Sequence, residues 1–474
     1  MSTMHVPLHP ACYKASGASA PALVQIDNTN FSFVVNAYDP TTDEQANVHI
    51  PVPFCESATT VPMGHVWRCA ETSGAARWDH SADPDQNSTT VSPTTASVND
   101  TAIGTANFAN GGALTPAVDP TADRMIHSQI NRDANNAGDT LTGDAQHLGA
   151  YFTMAAVDSL GFGPEFICYP SGAAGLTPGG TTLSSVYATT NVSYALSFPN
   201  GGGYVDYVFT LPQYFTGNLE ITTWINPGDT GTTEWRHDLR YVGVGETFDG
   251  AITAGSAFTI TGGSATTFYQ DKQRAAVAGA AAGDMVILRV RRTSGGTSTA
   301  AALLLGAHVS YDCGASIGMI PLSPQAMIAP ASSPASIVEV TGANFNYYAG
   351  RFASGSTTNL CAQSPISGGR WLGGGKIVVY WISSGEGSVQ FKALYAICSG
   401  VNAAETTTDP SATDPGTVTT ASGGAGILNR TVIPMGNPTV TNPCVMLFKI
   451  QRQSGDGIPA NVDVVNCLVE YIPK

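Results

Sequence analysis

Charge is scarce in this chain. Only 12% of its 474 residues are Asp, Glu, Lys or Arg, and 35 acidic residues outnumber 20 basic ones. A surface that tracks phosphates needs clustered cations, so the net charge of −15 favours solubility and speaks against a nucleic-acid partner. The one dense basic stretch, Arg289-Val-Arg-Arg292, alternates with apolar residues and reads as the outward face of a strand. Long apolar runs are missing too. None reaches the roughly eighteen residues a membrane-spanning helix needs, so no membrane partner is expected. The opening Met1-Ser-Thr-Met-His-Val-Pro7 lacks the charged and then apolar stretches of a secretory leader. Synthesis and retention in a cytosol are therefore expected.

Catalytic signatures are also wanting. There is no Gly-x-Ser-x-Gly elbow, no Gly-x-x-x-x-Gly-Lys phosphate loop and no His-Glu-x-x-His. The nine cysteines include no Cys-x-x-Cys and do not recur at a period, so buried free thiols are expected rather than a disulfide or zinc framework. No enzyme activity, metal or cofactor is expected.

What the chain does have is a threefold internal repeat. It holds only six tryptophans, yet Trp67, Trp224 and Trp381 stand at equal intervals of 157 residues. Trp78 and Trp235 each follow eleven residues later, and Phe391 keeps an aromatic at that place in the third copy. Downstream, Met125-Ile-His-Ser-Gln-Ile-Asn-Arg132, Met285-Val-Ile-Leu-Arg-Val-Arg-Arg292 and Val445-Met-Leu-Phe-Lys-Ile-Gln-Arg452 share an apolar run ending in arginine. Leu148-Gly-Ala-Tyr-Phe152, Leu305-Gly-Ala-His-Val309 and Val465-Asn-Cys-Leu-Val469 follow. A repeat of about 155 residues is a whole domain, far too long for a solenoid unit. Three domains are expected over 1–160, 161–320 and 321–474, joined by Pro-rich stretches at 159–180 and 319–334.

Period-two alternation marks strands at Tyr204-Val-Asp-Tyr-Val-Phe-Thr-Leu211, Asn218–Ile225, Lys376–Ile382 and Ser388–Ile397, each broken by Gly, Pro, Asn or Asp turns. The Ala-rich run 275–282 admits one or two helical turns at most. An all-β fold follows: three tandem β-sandwiches of jelly-roll type. The Trp-bearing strand and its successor are expected to form one hairpin, the Arg-ended strand and the Leu-Gly strand another. Segments 83–121 and 402–426 are expected to be long exposed loops.

The repeated aromatics Trp67, Trp224, Trp381, Trp78, Trp235 and Phe391 are expected in the sandwich cores. Histidines two residues beyond Trp78 and Trp235, His80 and His237, share their strand face, but Ala393 stands there in the third copy, which points to structure rather than ligand binding. Acidic groups at Asp39, Asp43 and Glu44, and at Asp79, Asp83 and Asp85, fall short of the six or more oxygens calcium needs. Arg132, Arg292 and Arg452 are the only charged residues kept in all three copies. Each is expected to pair with a carboxylate of its own domain and pin a loop base, the alternative being a contact with a neighbouring subunit.

The segment from Asp123 to Phe152, with its Arg132, Asp133-Ala-Asn-Asn136, Asp139-Thr-Leu141 and Leu148-Gly149, resembles the closing motif of small β-sandwich proteins among tailed-phage structural genes. The third copy departs most, lacking Asp-Thr-Leu and carrying Asn466 for the glycine. The resemblance implies a non-enzymatic bacteriophage virion protein, with other virion proteins as partners. A capsid decoration, cement or short head-fibre role is expected, in a homo-oligomer with a trimer favoured over a pseudo-threefold monomer. The alternative is a tail-associated receptor or carbohydrate binder, for which Trp371, outside the repeat, is the aromatic to test.

Overall fold

The computed structural model describes residues 3–15, 19–28, 30–51, 62–83, 94–102, 110–115, 125–155, 166–168, 180–186, 193–264, 268–275, 279–313, 318–366, 371–399, 412–438, 440 and 444–473. Regular structure within them is strand, apart from two single 3-10 turns at Pro10–Cys12 and Pro324–Ala326. Each repeat folds into two facing antiparallel sheets.

In the first repeat one sheet runs β3 (Ala22–Asp27), β4 (Ser32–Tyr38), β11 (Ala145–Ala155), β6 (Met63–Arg68), β9 (Asn110–Leu114), and β1 (Thr3–Leu8) also pairs β11. The facing sheet runs β2 (Lys14–Ala15), β5 (Glu44–Pro51), β10 (Met125–Arg132), β7 (Ala75–Asp83), β8 (Thr94–Thr101). The second repeat gives β13 (Thr182–Val186), β14 (Ser193–Phe198), β21 (Ala302–Cys313), β16 (Phe215–Asn226), β19 (Tyr269–Ala275), with β12 (Phe166–Cys168) on β21. Opposite lie β15 (Gly203–Thr210), β20 (Met285–Gly296), β17 (Thr232–Val242) and β18 (Ala257–Thr261). The third gives β23 (Ser336–Thr341), β24 (Asn346–Phe352), β31 (Val462–Pro473), β26 (Trp371–Ser383), β29 (Asn429–Gly436), with β22 (Gly318–Pro321) on β31. Its second sheet is β25 (Thr358–Ile366), β30 (Cys444–Arg452), β27 (Ser388–Ser399) and β28 (Thr417–Ala421).

Numbering the eight shared strands of a repeat from β4, β14 or β24, one sheet reads 1-8-3-6 and the other 2-7-4-5, three times over. That is the jelly roll. Its core lies between the sheets and repeats as well. Tyr38 meets Trp78, Phe198 meets Trp235 and Phe352 meets Phe391, edge to face, with ring centroids 5.2, 4.9 and 5.9 Å apart.

Two expectations need correction. The Trp-bearing strand and its successor (β6 and β7, β16 and β17, β26 and β27) sit in opposite sheets, as do the Arg-ended strand and the one after it. The connections are arches between layers, not hairpins. Turn chemistry specifies that the chain reverses; it does not say whether the returning strand pairs sideways or stacks across the core. Segments 83–121 and 402–426 hold the edge strands β8, β9 and β28; the Thr-rich alternation of β8 and β28 leaves them exposed along one side. Ala275 ends strand β19, and residues 276–278 of the Ala-rich run lie outside the described residues.

Candidate functional site: staples and seams

Arg132 and Arg452, which end β10 and β30, and Arg292 within β20 are fully or nearly fully buried and act within their own sandwich. Arg452 donates through Nη1 to the carbonyls of Phe352 (3.2 Å) and Ala460 (2.8 Å), and through Nη2 to that of Ile458 (2.6 Å). It also grips Asp456 with Nε and Nη2, at 2.7 and 2.8 Å. Arg132 repeats this with the carbonyls of Tyr38, Gly143 and Leu141 and both oxygens of Asp139. Tyr38, Phe198 and Phe352 each end the first shared strand. The staple therefore ties the facing sheet to the closing loop. Arg292 keeps the carbonyls of Phe198 (3.1 Å) and Ala300 (2.8 Å), but its described contacts include no bidentate carboxylate. There Asp229 holds the loop instead, accepting from the amides of Thr299 and Ala300. Those hydrogen bonds and two more, from Gly231 and Ser298, hold the Asp229 carboxyl down at about 2.

Trp67, Trp78, Trp235, Trp381 and Phe391 lie in the three sandwich cores. Trp224 does not. A β-bulge falls between Trp224 and Ile225, in the place of the one between Tyr380 and Trp381. Aligned on that bulge, Ile225 occupies the core position of Trp67 and Trp381, and Trp224 that of Val66 and Tyr380 on the outer face. A one-residue offset in a strand exchanges its faces. Truncating Trp67 or Trp381 to alanine is thus expected to cost about 3–5 kcal/mol of sandwich stability. Trp224→Ala should instead loosen a contact between sandwiches and leave the second core's own unfolding almost unchanged, as followed by Trp235 fluorescence.

Trp224 is nevertheless buried, at 2% exposure, in an outer-face cluster with Ala195, Phe268 and Leu305. Outer faces are where the sandwiches meet. The first sheet of sandwich one packs on the second sheet of sandwich three: Phe33, Val35, Val66 and Leu148 meet Cys361, Cys398, Val445 and Leu447. Gln363 completes this seam, accepting from the Val34 amide at 2.7 Å and donating to the carbonyls of Val34 and Leu148 at 2.8 and 2.9 Å. The first sheet of sandwich three packs in turn on the second sheet of sandwich two, where Tyr347, Ala349, Tyr380 and Val465 meet Val242, Phe248, Met285 and Ile287. Here Arg289 holds Asp206 at 2.7 and 2.9 Å, and Asp206 accepts the Asn346 amide across the seam at 2.9 Å. Desolvation outweighs these donors and raises the Asp206 carboxyl above its usual range. The backbones join as well, through Gly245 to Leu428, Leu428 to Glu246 and Phe248 to Gly426.

The first sheet of sandwich two completes the cycle. Its outer residues Ala195, Trp224 and Leu305 cluster on the side where β14 and β21 lie against β2 and β5 of sandwich one. Lys14 stands over the Tyr194 ring there, 4.7 Å from its centroid. First sheet meets second sheet at every junction, one on three, three on two, two on one. The ring closes within a single chain.

Sites for chemistry are sparse among the described residues. His80 shares a 3.0 Å hydrogen bond with Ser128 inside the first core, and His237 lies 4.9 Å from the Phe258 ring. Asp39 and Glu44 accept backbone amides of their own loop, and Asp43 accepts that of Asn135. Among the described residues no three His, Cys, Asp or Glu are grouped to hold a metal; Asp85 lies outside them. No helix is long and apolar enough to cross a membrane. A surface groove at the edge of sandwich three is lined by Arg351, Ser383, Asn461 and Asp463, but Arg351 and Asp463 neutralise each other at 2.8 Å. Trp371 opens β26, and its side chain lies outside the described residues.

No family model matches the chain, and no curated protein matches it. Solved structures similar to it include the tandem CBM22 domains of Paenibacillus barcinonensis Xyn10C, at 11% identity, covering 66% of this chain and 100% of that one, TM-score 0.22. A structure of a triple jelly-roll fold and turret assembly in an archaeal virus matches at 11% identity over 98% and 91%, TM-score 0.19. The T13 IBDV viral particle matches at 8% over 100% and 78%, TM-score 0.21. These scores are too low for the likeness to say what the chain does.

Proposed function

We propose that this chain is a non-enzymatic virion structural protein of a tailed bacteriophage, a decoration, cement or short-fibre component of the head surface. The observation that carries the reading is the closed ring. Among the described residues, each jelly roll turns the outer face of one sheet to its predecessor in the ring and that of the other to its successor, so the three make one unit with strands such as β3, β8 and β28 left exposed. The phage-like motif supports it from another side, since Asp139 and Leu141 of Asp139-Thr-Leu141 are what Arg132 holds. In the third copy, which lacks that triplet, Asp456 and Ile458 serve the same arginine function.

The seams a homotrimer would need are made within one chain, so the unit we propose is a pseudo-threefold monomer. Light scattering of the purified protein should return the mass of one chain, and a threefold mass would overturn the single-chain ring. For the function, the protein should appear among the proteins of purified particles and occupy a surface site in their reconstructed density. Its absence from particles would defeat the reading. Glycan binding lost on Trp371→Ala would move the protein to the receptor-binding class.

A further inference from the structure

One seam is chemically unlike the other two. Five residues before the staple arginine, on the face turned to the next sandwich, stand His127, Ile287 and Leu447; in register with them across the strand pair are His49, Val208 and Gln363. On the receiving sheet, three residues past the bulge positions Leu148, Leu305 and Val465, stand Tyr151, His308 and Leu468. Two seams therefore carry aliphatic or uncharged groups where the seam between sandwiches one and two brings in three imidazoles. His49 Nε2 and His127 Nδ1 are 3.4 Å apart with ring centroids at 4.9 Å, and both side chains are buried although they point away from their own core. His308 is buried as well, on the outer face of the sheet that lies against β5.

Charged and polar groups lie around them among the described residues. Gln129 donates to Asn47 at 3.0 Å beside the pair, and Asp83 of β7 is in register with His127. Lys14 of β2 reaches over Tyr194. From sandwich two come Glu220, in register with Ser310, and by backbone register Lys272 beside Thr222. The facing outer cluster of Ala195, Trp224 and Leu305 is apolar.

We infer that the joint between sandwiches one and two opens on acidification through protonation of the paired His49 and His127, while the other two seams keep the chain together as an arc. While both imidazoles are neutral, one ring's N–H can donate to the bare nitrogen of the other along the N···N line. Protonating both puts an N–H on each side of that line and sets two positive charges against each other in an apolar seam, where Asp83 can balance only one of them. Burial lowers His49 well below its ordinary value and His127 to about 4, so both bind protons more readily once the joint is open. The seam's stability is accordingly complete above about pH 6.5 and falls as pH drops below it.

Trp224, clustered with Ala195, Phe268 and Leu305 on the outer face whose strands β14 and β21 meet sandwich one, is the reporter, with Trp67, Trp78, Trp235 and Trp381 as controls inside cores. Hydroxyl-radical footprinting of the whole chain read by mass spectrometry, at about pH 7.5 and about pH 5.5, should show Trp224 oxidation rising roughly tenfold or more while the controls stay flat. His49→Gln with His127→Leu, the residues of the third repeat, should remove the response. If that variant does not fold, His127→Leu alone breaks the pair and should blunt the response. A flat Trp224 signal in the parent, an unaltered response in a folded variant, or oxidation of Trp67 and Trp78 together with Trp224 would each overturn the inference.

Discussion

Arg452→Ala is expected to destabilise the third sandwich by about 3–5 kcal/mol, the range for breaking a buried ion pair from one side. The arginine is fully buried, and its removal strands the Asp456 carboxylate together with three carbonyls that lose their donor. Arg132→Ala should behave alike, because Asp139 is left in the same state. Arg292→Ala is expected to cost less, about 1–3 kcal/mol, since it orphans carbonyls but no bidentate carboxylate. Hydrogen exchange resolved by sandwich is the suitable measurement, because a three-domain chain need not melt as one unit. An Arg292 variant as damaging as Arg452→Ala would show that the carboxylate is not the larger part of the staple. Arg452→Ala combined with Asp456→Ala should recover part of the loss, since the second change removes the stranded charge.

The second large effect is acid loss of the first sandwich's core. Seven of the nine histidines lie in the first repeat and none in the third. Of those facing the core, His80 and His147 are fully buried, and desolvation lowers both to about 3. A histidine whose folded value is depressed contributes its full stability above the unfolded value of about 6.5 and loses it as pH falls toward the folded one. At pH 4 each of the two withdraws roughly 3 kcal/mol, so together they approach the whole stability of a domain. Sandwich one should therefore unfold between about pH 5 and pH 4, below the pH at which its seam opens, while sandwich three persists. Near-ultraviolet circular dichroism and sandwich-resolved exchange would follow it. Replacing His147 by valine, near the repeat-equivalent Val464, should move the midpoint down; an unmoved midpoint would place the acid sensitivity elsewhere.

Much of this fold is written openly in the chain. The arginine-ended strands Met125–Arg132, Met285–Arg292 and Val445–Arg452 mark equivalent strands in register, and the alternating runs are strands where alternation is clear. The equal spacing of Trp67, Trp224 and Trp381 misleads by one residue in the middle copy. Trp224 sits between Thr223 and Ile225, and all three are buried, so alternation could not say which side faced the core. That ambiguity has one physical cause, the covering of both faces of the central strands. It leaves a signal: Cys444–Phe448 and Met285–Leu288 are unbroken apolar runs, which belong to strands covered on both sides rather than to a sandwich with a wet exterior. The direction of closure, one on three on two on one, has no counterpart in local sequence, because it depends on which apolar face finds which.

Joining the three jelly rolls in one polypeptide has a consequence that separate subunits would not share. In a symmetric trimer every substitution at a joint appears three times around the axis, so a change tolerable once must be tolerated in triplicate. Here each joint is encoded by its own stretch of sequence and can drift alone. Gln363 can bridge one, Asp206 with Arg289 another, and a pair of imidazoles the third, without any of these having to suit the remaining two.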